Sequence, residues 1–334
     1  MSMTGAVRQI EESMATTRGR SWARYLATRI GASLLMLVGL AFVAFLIVRI
    51  IPGDPARLIA GPDATPELIA SIRSRLGLDV PFWQQLGDYL SGLLRGDFGS
   101  SLRTSQDVGE LIAQRLPYTL QLTVLALVLA VVLGVVLGVI AALLTKDGAR
   151  PGFERVFVLS TGAVGVIPEI AIGAVLVALL AVELHLLPAS GSGGFAAIIL
   201  PALTVGLRPG FNLARVVRVE MLEVLAQPFI QTARSTQLGP LRIVLRHALP
   251  NTMTPILTLA GLLFAYLIGG VVVVENLFAW PGLGSTLVNA VINRDYPVIQ
   301  ALILVMGALV IAGNLIVDLA LGLIDPRIAL QHHG

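Results

Sequence analysis

Apolar residues in this chain fall into long unbroken runs separated by polar stretches. The runs have the length that crosses a lipid bilayer, not the length of helices in a water-soluble core. The first covers residues 26–51, with an apolar centre from Ile30 to Val48, and five more cover 120–144, 156–182, 196–214, 253–274 and 298–324. The predicted fold class is therefore all-α, a polytopic membrane protein with six transmembrane helices. The first run exceeds the roughly 7–15 residues of a signal-peptide core, and no A-x-A site follows it, so it reads as an uncleaved span. Two runs are interrupted: the third by Pro168-Glu169, the fourth by Pro201, Arg208 and Pro209.

The polar stretches divide the chain into an N-terminal segment (1–25), the first span (26–51), an insert (52–117), a five-span core (118–324) and a tail (325–334). The insert opens on Pro52-Gly53-Asp54-Pro55, a turn composition. Thr65 is placed to cap a helix with Pro66 in its first position, stopping at Gly77; a second helix fits 81–95 and a third 108–115. Ile69, Ile72, Leu76, Phe82, Trp83, Leu86 and Leu90 supply a modest apolar face, enough for a small helical periplasmic or extracellular unit. Residues 183–195 and 275–297 read as short outer loops, and 215–252 as the main cytoplasmic loop.

Composition supports the spans. Of 334 residues, 56% are hydrophobic and only 13% charged, against about 25% charged in soluble domains. The placement of charge orients the chain. Arg8, Arg18, Arg20, Arg24, Arg29, Lys146, Arg150, Arg155, Arg215, Arg218, Arg234, Arg242, Arg246 and Arg327 all fall on one side of the predicted spans, while the two short loops opposite hold only Arg294. The positive-inside rule makes the first side cytoplasmic, both termini included, and exempts inserts longer than about 60 residues, such as 52–117. The small net charge of +3 reflects this orientation and gives no nucleic-acid surface.

The chemistry is mostly exclusion. There is no cysteine, hence no disulfide and no thiolate metal site. The single lysine, Lys146, follows Thr145, so no Gly-Lys-Ser/Thr phosphate loop exists and ATP hydrolysis would belong to other chains. His185, His247, His332 and His333 lack metal-ligand spacing, and no catalytic cluster stands out; the chain reads as a transporter, not an enzyme. Gly134-x-x-x-Gly138 predicts close helix packing within the subunit. Glu169 and Arg208 are charges near mid-span, each costing about 2.5–3.5 kcal/mol on insertion scales. They are expected to pair with each other or to line a translocation pathway together with Asn212; Glu169 as proton carrier of a gradient-driven transporter is the alternative. Asp318, near the inner end of the sixth span, is expected to bond a neighbouring span.

In the main loop, Gln231-Thr232-Ala233 is followed, sixteen positions after Ala233, by Leu249-Pro250. This resembles the EAA loop of binding-protein-dependent ABC importers. The rest of the chain is similar to the oligopeptide/dipeptide/nickel permease family, through IIPGDPARLIAG, LLRGDFGSSLRT, ILPALTVGL, EMLEVLAQPFIQTAR, VVVVENLFAWPGLG, INRDYPVIQ and NLIVDLALGLIDPRI. The resemblance implies the first of two non-identical permeases in a bacterial cytoplasmic membrane. Its partners would be a second homologous permease, two ABC ATPases carrying ATP and Mg, and an extracytoplasmic substrate-binding protein; no cofactor or metal would sit on this chain. Its cargo would be di- or oligopeptides, with glutathione or nickel chelates as the alternative. A short helix around Phe229 to Arg234 would dock on the ATPase, with Ala233 small at that contact. Gln237 stands where the family has glycine, and Gly239-Pro240 is expected to supply the turn instead. A charge at 169 and at 208 departs from the family pattern.

Overall fold

The computed structural model describes residues 26–47, 55–61, 64–75, 77 and 79–324. The predicted N-terminal segment, the turn at 52–54, Leu76 and the tail lie outside the described residues. Thirteen α-helices are present among the described residues. The first, α1, is Leu26–Ile47. The insert contributes α2 (Pro55–Ala60), α3 (Pro66–Arg75) and α4 (Phe82–Leu94). Then come α5 (Val108–Thr145), α6 (Pro151–Val166), α7 (Glu169–Leu176), α8 (Phe195–Leu225), α9 (Pro228–Ser235) and α10 (Pro240–Ile243). The chain closes with α11 (Leu249–Leu277), α12 (Leu283–Asn293) and α13 (Tyr296–Ile324). Five of these, α1, α5, α8, α11 and α13, are long and apolar enough to cross a membrane. The third predicted span is a bent pair: α6 and α7 meet at 104°. Pro168 has no N–H to continue α6 and pushes Ile167 to an extended φ/ψ of −67°/129°, so the helix ends one residue earlier and restarts at Glu169.

The α5–α8 pair organises the core. Along α5, Ala126, Ala130, Gly134 and Gly138 recur every four residues and form one stripe. They meet α8 in step. A Cβ at Gly206 would stand 2.8 Å from the Ala126 carbonyl, and one at Gly210 would stand 3.2 Å from that of Ala130. A Cβ at Gly134 would overlap Leu213, and one at Gly138 would overlap Val217 and the Ala214 carbonyl. The glycines thus work inside the subunit, as expected, and the rising order on both strands of this ladder means that α5 and α8 run parallel.

Two predicted boundaries move. Pro117 does not end the insert: α5 runs through it without interruption from Val108, capped by Asp107, whose carboxylate accepts the Glu110 amide at 2.8 Å. A proline in a helix interior costs about 3 kcal/mol, but here both flanks are anchored, Val108 and Ile112 against α12 and α13, Leu122 and Ala126 against α8 and α11. The fourth span does not end at 214 but continues to Leu225, because Ala214, Val217, Met221 and Leu225 keep a buried helical stripe while Arg215, Val219 and Glu223 stay on the exposed side.

The insert is tied down at two places. Phe45 of α1 stacks on Phe82 and Tyr89 of α4, with both ring centroids at 5.5 Å. Trp83, predicted on the apolar face, is instead 75% exposed. Thr65 caps α3 as predicted, accepting the Leu68 amide. Farther along, the Asp295 carboxylate accepts the Ser101 hydroxyl and the Leu102 amide, and Arg103 Nε donates to the Asn293 carbonyl at 3.1 Å. The LLRGDFGSSLRT and INRDYPVIQ segments therefore meet in space.

Candidate functional site

The mid-span charges sit at the break between α6 and α7. Glu169 is the first residue of α7, where the unpaired amides and the helix dipole favour a negative side chain by about 0.3–1 kcal/mol. Arg208 of α8 reaches the other side of the break. Its Nε donates at 3.0 Å to the carbonyl of Gly165, in the last turn of α6, where a carbonyl has lost its helical partner. Each charge therefore matches the helix end it faces. They do not pair: no N···O contact within 4.0 Å joins them. The Glu169 carboxylate instead accepts the Tyr266 hydroxyl of α11 at 2.7 Å. Gly270, one turn on from Tyr266, leaves room for the carboxylate, since a Cβ there would stand 3.0 Å from Oε2. Asn212, one turn below Arg208, accepts from Arg215 Nη2 at 2.8 Å and lies against Gly165. The third expected pathway residue thus lies on the same face as Arg208, directed at the same break.

The 215–252 segment is helical for most of its length. Pro228 starts α9 in its first turn and Pro240 starts α10. On α9, Ile230 and Ala233 are buried and join Ala142, Met221, Leu225, Ile243, Val244 and Ala248 in one cluster. Ala233 is enclosed by this chain's own helices. Phe229, Gln231 and Thr232 point away and are exposed. The turn after α9 is made by Gln237, at φ +57°, while Gly239 has φ −60°. The expectation that Gly239 supplies the left-handed residue is thus corrected. The left-handed residue is Gln237 itself, which holds that conformation at a steric cost of about 1–2 kcal/mol. Leu249 opens α11 with Pro250 in its first turn, so the distal Leu-Pro pair is a helix start packed on the α9 cluster.

Two polar centres escaped the sequence reading. Glu275, taken as the first residue of an outer loop, is completely buried at the end of α11. Its carboxylate accepts the Thr119 hydroxyl at 2.7 Å and the Ser285 amide at 3.0 Å, and Thr119 in turn accepts the Leu283 amide at 2.8 Å. Trp280 Nε1 donates to the Tyr118 carbonyl, 3.0 Å away. An added Cβ at Gly282 or Gly284 would overlap this carboxylate, which is why the ENLFAWPGLG stretch needs those glycines. The loop reading also missed α12, an apolar helix. The available signal was its Leu283, Leu287, Ala290 spacing. Near the opposite ends of α1 and α13, Asp318 pairs with Arg29 at 3.0 Å, the interhelical bond expected of it. Arg218 of α8 joins Glu154 of α6 and the Thr145 hydroxyl of α5.

Among the described residues no group of His, Cys, Asp or Glu has the arrangement of a metal site. The polar centres hold helices together or face the helix break, and none sets a nucleophile against a base.

Comparison with known proteins agrees with this picture. Residues 134–330 match the family described as "Binding-protein-dependent transport system inner membrane component", and residues 22–123 match its N-terminal companion, "Binding-prot-dependent transport system membrane comp, N-term". A "Probable peptide ABC transporter permease protein" of Sinorhizobium fredii is 39% identical over 313 residues, covering 91% of this chain and 98% of the relative. A "Glutathione transport system permease protein" of Salmonella typhimurium is 39% identical over 305 residues with the same coverage of each chain. Among solved structures, a chain of the MetNI methionine ABC transporter in an inward-facing conformation superposes with a TM-score of 0.56 at 19% identity, over 64% of this chain and 96% of that one. The last likeness concerns the fold alone. With a helical membrane architecture and family matches along most of its length, the chain belongs to the binding-protein-dependent transport system inner membrane components, as a transport subunit whose ATPase is a separate polypeptide.

Proposed function

We propose that the chain is one of two permeases in an ATP-driven importer of short peptides, glutathione among them. The relatives named for peptide and glutathione transport support the cargo class. The assembly would comprise a second homologous permease, two ATPases carrying ATP and Mg, and a substrate-binding protein on the outer side. The arginine bias described above supports cytoplasmic termini and a cytoplasmic α9.

The observation that carries this reading is the build of α9. Its buried side, Ile230 and Ala233, fixes it to α8, α10 and α5, and its other side presents Phe229 with Gln231 and Thr232. A short helix anchored on one face and bare on the other, on the arginine-rich side of the membrane, suits a groove on a partner ATPase.

The test is uptake by the complete importer in proteoliposomes, with Phe229→Asp compared against wild type. Phe229 is 44% exposed, so the permease should fold and assemble unchanged. ATP-dependent uptake of a labelled dipeptide or of glutathione should fall at least tenfold, with the ATPases lost or hydrolysing ATP without transport. Undiminished uptake in the variant would place docking elsewhere. Failure of the wild-type importer to take up either solute would reject the cargo class.

A further inference from the structure

The cluster at the helix break has binding capacity that the protein itself leaves unused. Arg208 uses only Nε on Gly165, and its two terminal amino groups have no hydrogen-bond partner among the described residues. Glu169 receives Tyr266 on Oε1, and Oε2 is likewise without a partner among the described residues. None of these three atoms is among the buried unpartnered groups, so each opens to the space beside the break. Tyr266 is 46% exposed and borders the same space.

Depth adds a second argument. Tyr266 is the central residue of the apolar stretch Pro255–Leu277, Arg208 lies within a turn of the centre of Phe195–Leu225, and Glu169 is at the break of the bent pair. Two opposite charges at mid-membrane lower their cost most by pairing with each other. Here they stay apart, each half satisfied by a neutral group. A discontinuous helix at the membrane midplane, with charged side chains beside it, is also how transporters build sites for charged solutes.

We propose that Arg208, Glu169 and Tyr266 form a binding site for zwitterionic peptides. The peptide's terminal carboxylate takes the two terminal amino groups of Arg208 in a forked pair, and its terminal ammonium takes Oε2 of Glu169. Tyr266 orients the carboxylate by holding Oε1, and Gly270 keeps the approach to Oε2 open. A ligand with both charges neutralises both residues. A ligand capped at one end leaves one charge of the site unpaired in a poor dielectric, so the site selects for free termini. This inference rests on the peptide reading above.

The complete importer in nanodiscs, exposed to alanyl-photoleucine and irradiated, tests the site. Two variants remove charge while keeping the neutral contacts: Glu169→Gln still accepts from Tyr266, and Arg208→Gln still offers an N–H to Gly165. Wild type should be labelled on the segments that carry Arg208, Glu169 and Tyr266. Labelling there should fall tenfold or more in either variant, at unchanged complex yield. Excess dialanine should displace the probe, and N-acetyl-dialanine amide should not. Labelling that persists in both variants, that yields equally to the capped competitor, or that maps to other segments overturns the proposal and leaves the two charges as helix-end caps. If the wild-type importer transports no dipeptide, the peptide reading itself fails; if it transports one without labelling here, only the site fails.

Discussion

Thr119 and Glu275 lie 156 residues apart in the chain and are joined by a 2.7 Å hydrogen bond in a completely buried setting. The bond fastens α5 to the end of α11, and the same carboxylate receives the Ser285 amide at the start of α12. Removing the carboxylate strands a buried hydroxyl and a partly buried amide, at up to about 1–3 kcal/mol each. Glu275→Ala should therefore lower the unfolding midpoint of the purified permease by several degrees. Gly282→Ala should do the same by forcing a methyl group into the carboxylate. Combined, the two should cost much less than their sum, since the first empties the space that the second fills. Strict additivity in thermal unfolding would show that the close approach of Gly282 and Glu275 is not what requires the glycine.

Ala233 gives a second prediction, at odds with a purely partner-facing role. Because it is enclosed by the α9 cluster, Ala233→Trp overpacks this subunit and should cost about 1–3 kcal/mol or more. The yield of folded permease, measured by size-exclusion chromatography without any ATPase present, should drop. Normal yield and midpoint with transport alone abolished would return Ala233 to the docking surface.

Gln237 holds a left-handed conformation that glycine adopts freely. Gln237→Gly should leave the turn unchanged and stabilise the α9–α10 connection by up to about 1 kcal/mol, read as a higher unfolding midpoint. A lower midpoint would mean that the glutamine side chain contributes more than its backbone strain removes.

Asp295 controls the insert. Its carboxylate protects the Leu102 amide, 3.0 Å away, from solvent. In Asp295→Ala, hydrogen exchange at peptides covering 100–107 should accelerate by tenfold or more, while peptides from α8 exchange as before. Unchanged protection over 100–107 would assign the docking of this segment to its other contacts.

Tyr89 supplies a pH dependence outside the spans. Burial pushes its hydroxyl from the ordinary 10.0 up to about 12, and no hydrogen-bond partner offsets it. Between those values the unfolded chain has released the proton and the folded chain still holds it. The unfolded state thus binds fewer protons, and stability falls as pH rises from about 10 toward 12. Below pH 9 the group should contribute no slope. Tyr89→Phe should flatten the alkaline decline of the unfolding midpoint; an identical decline in the variant would assign it to other groups.

The sequence showed the membrane class and the positions of the spans because a bilayer demands long apolar runs, and that demand is local. Caps were legible for the same reason: Thr65 and Pro66 act on their immediate neighbours. What the sequence concealed is long-range or cooperative. Pro117 reads as a break until packing on both flanks carries the helix through it. Glu275 reads as a loop residue until Thr119 and the 282–285 backbone enclose it. Glu169 and Arg208 suggest a pair, because opposite charges at equal depth attract; the 104° bend changes that by creating two helix ends, one for each sign.

The stepwise interlock of α5 with α8 also has a mechanical consequence. Its contacts are backbone against backbone or backbone against short branched side chains, with little rotamer freedom to absorb displacement. The two helices therefore behave as one stiff beam about 30 residues long on the α8 side, 1.5 Å per residue. One end of the beam carries α9 and its bare Phe229. Midway along it, the Arg208–Gly165 hydrogen bond couples the beam to the end of α6. A tilt imposed at the α9 end would therefore be carried along the beam to the helix break as a displacement and not absorbed by local softness.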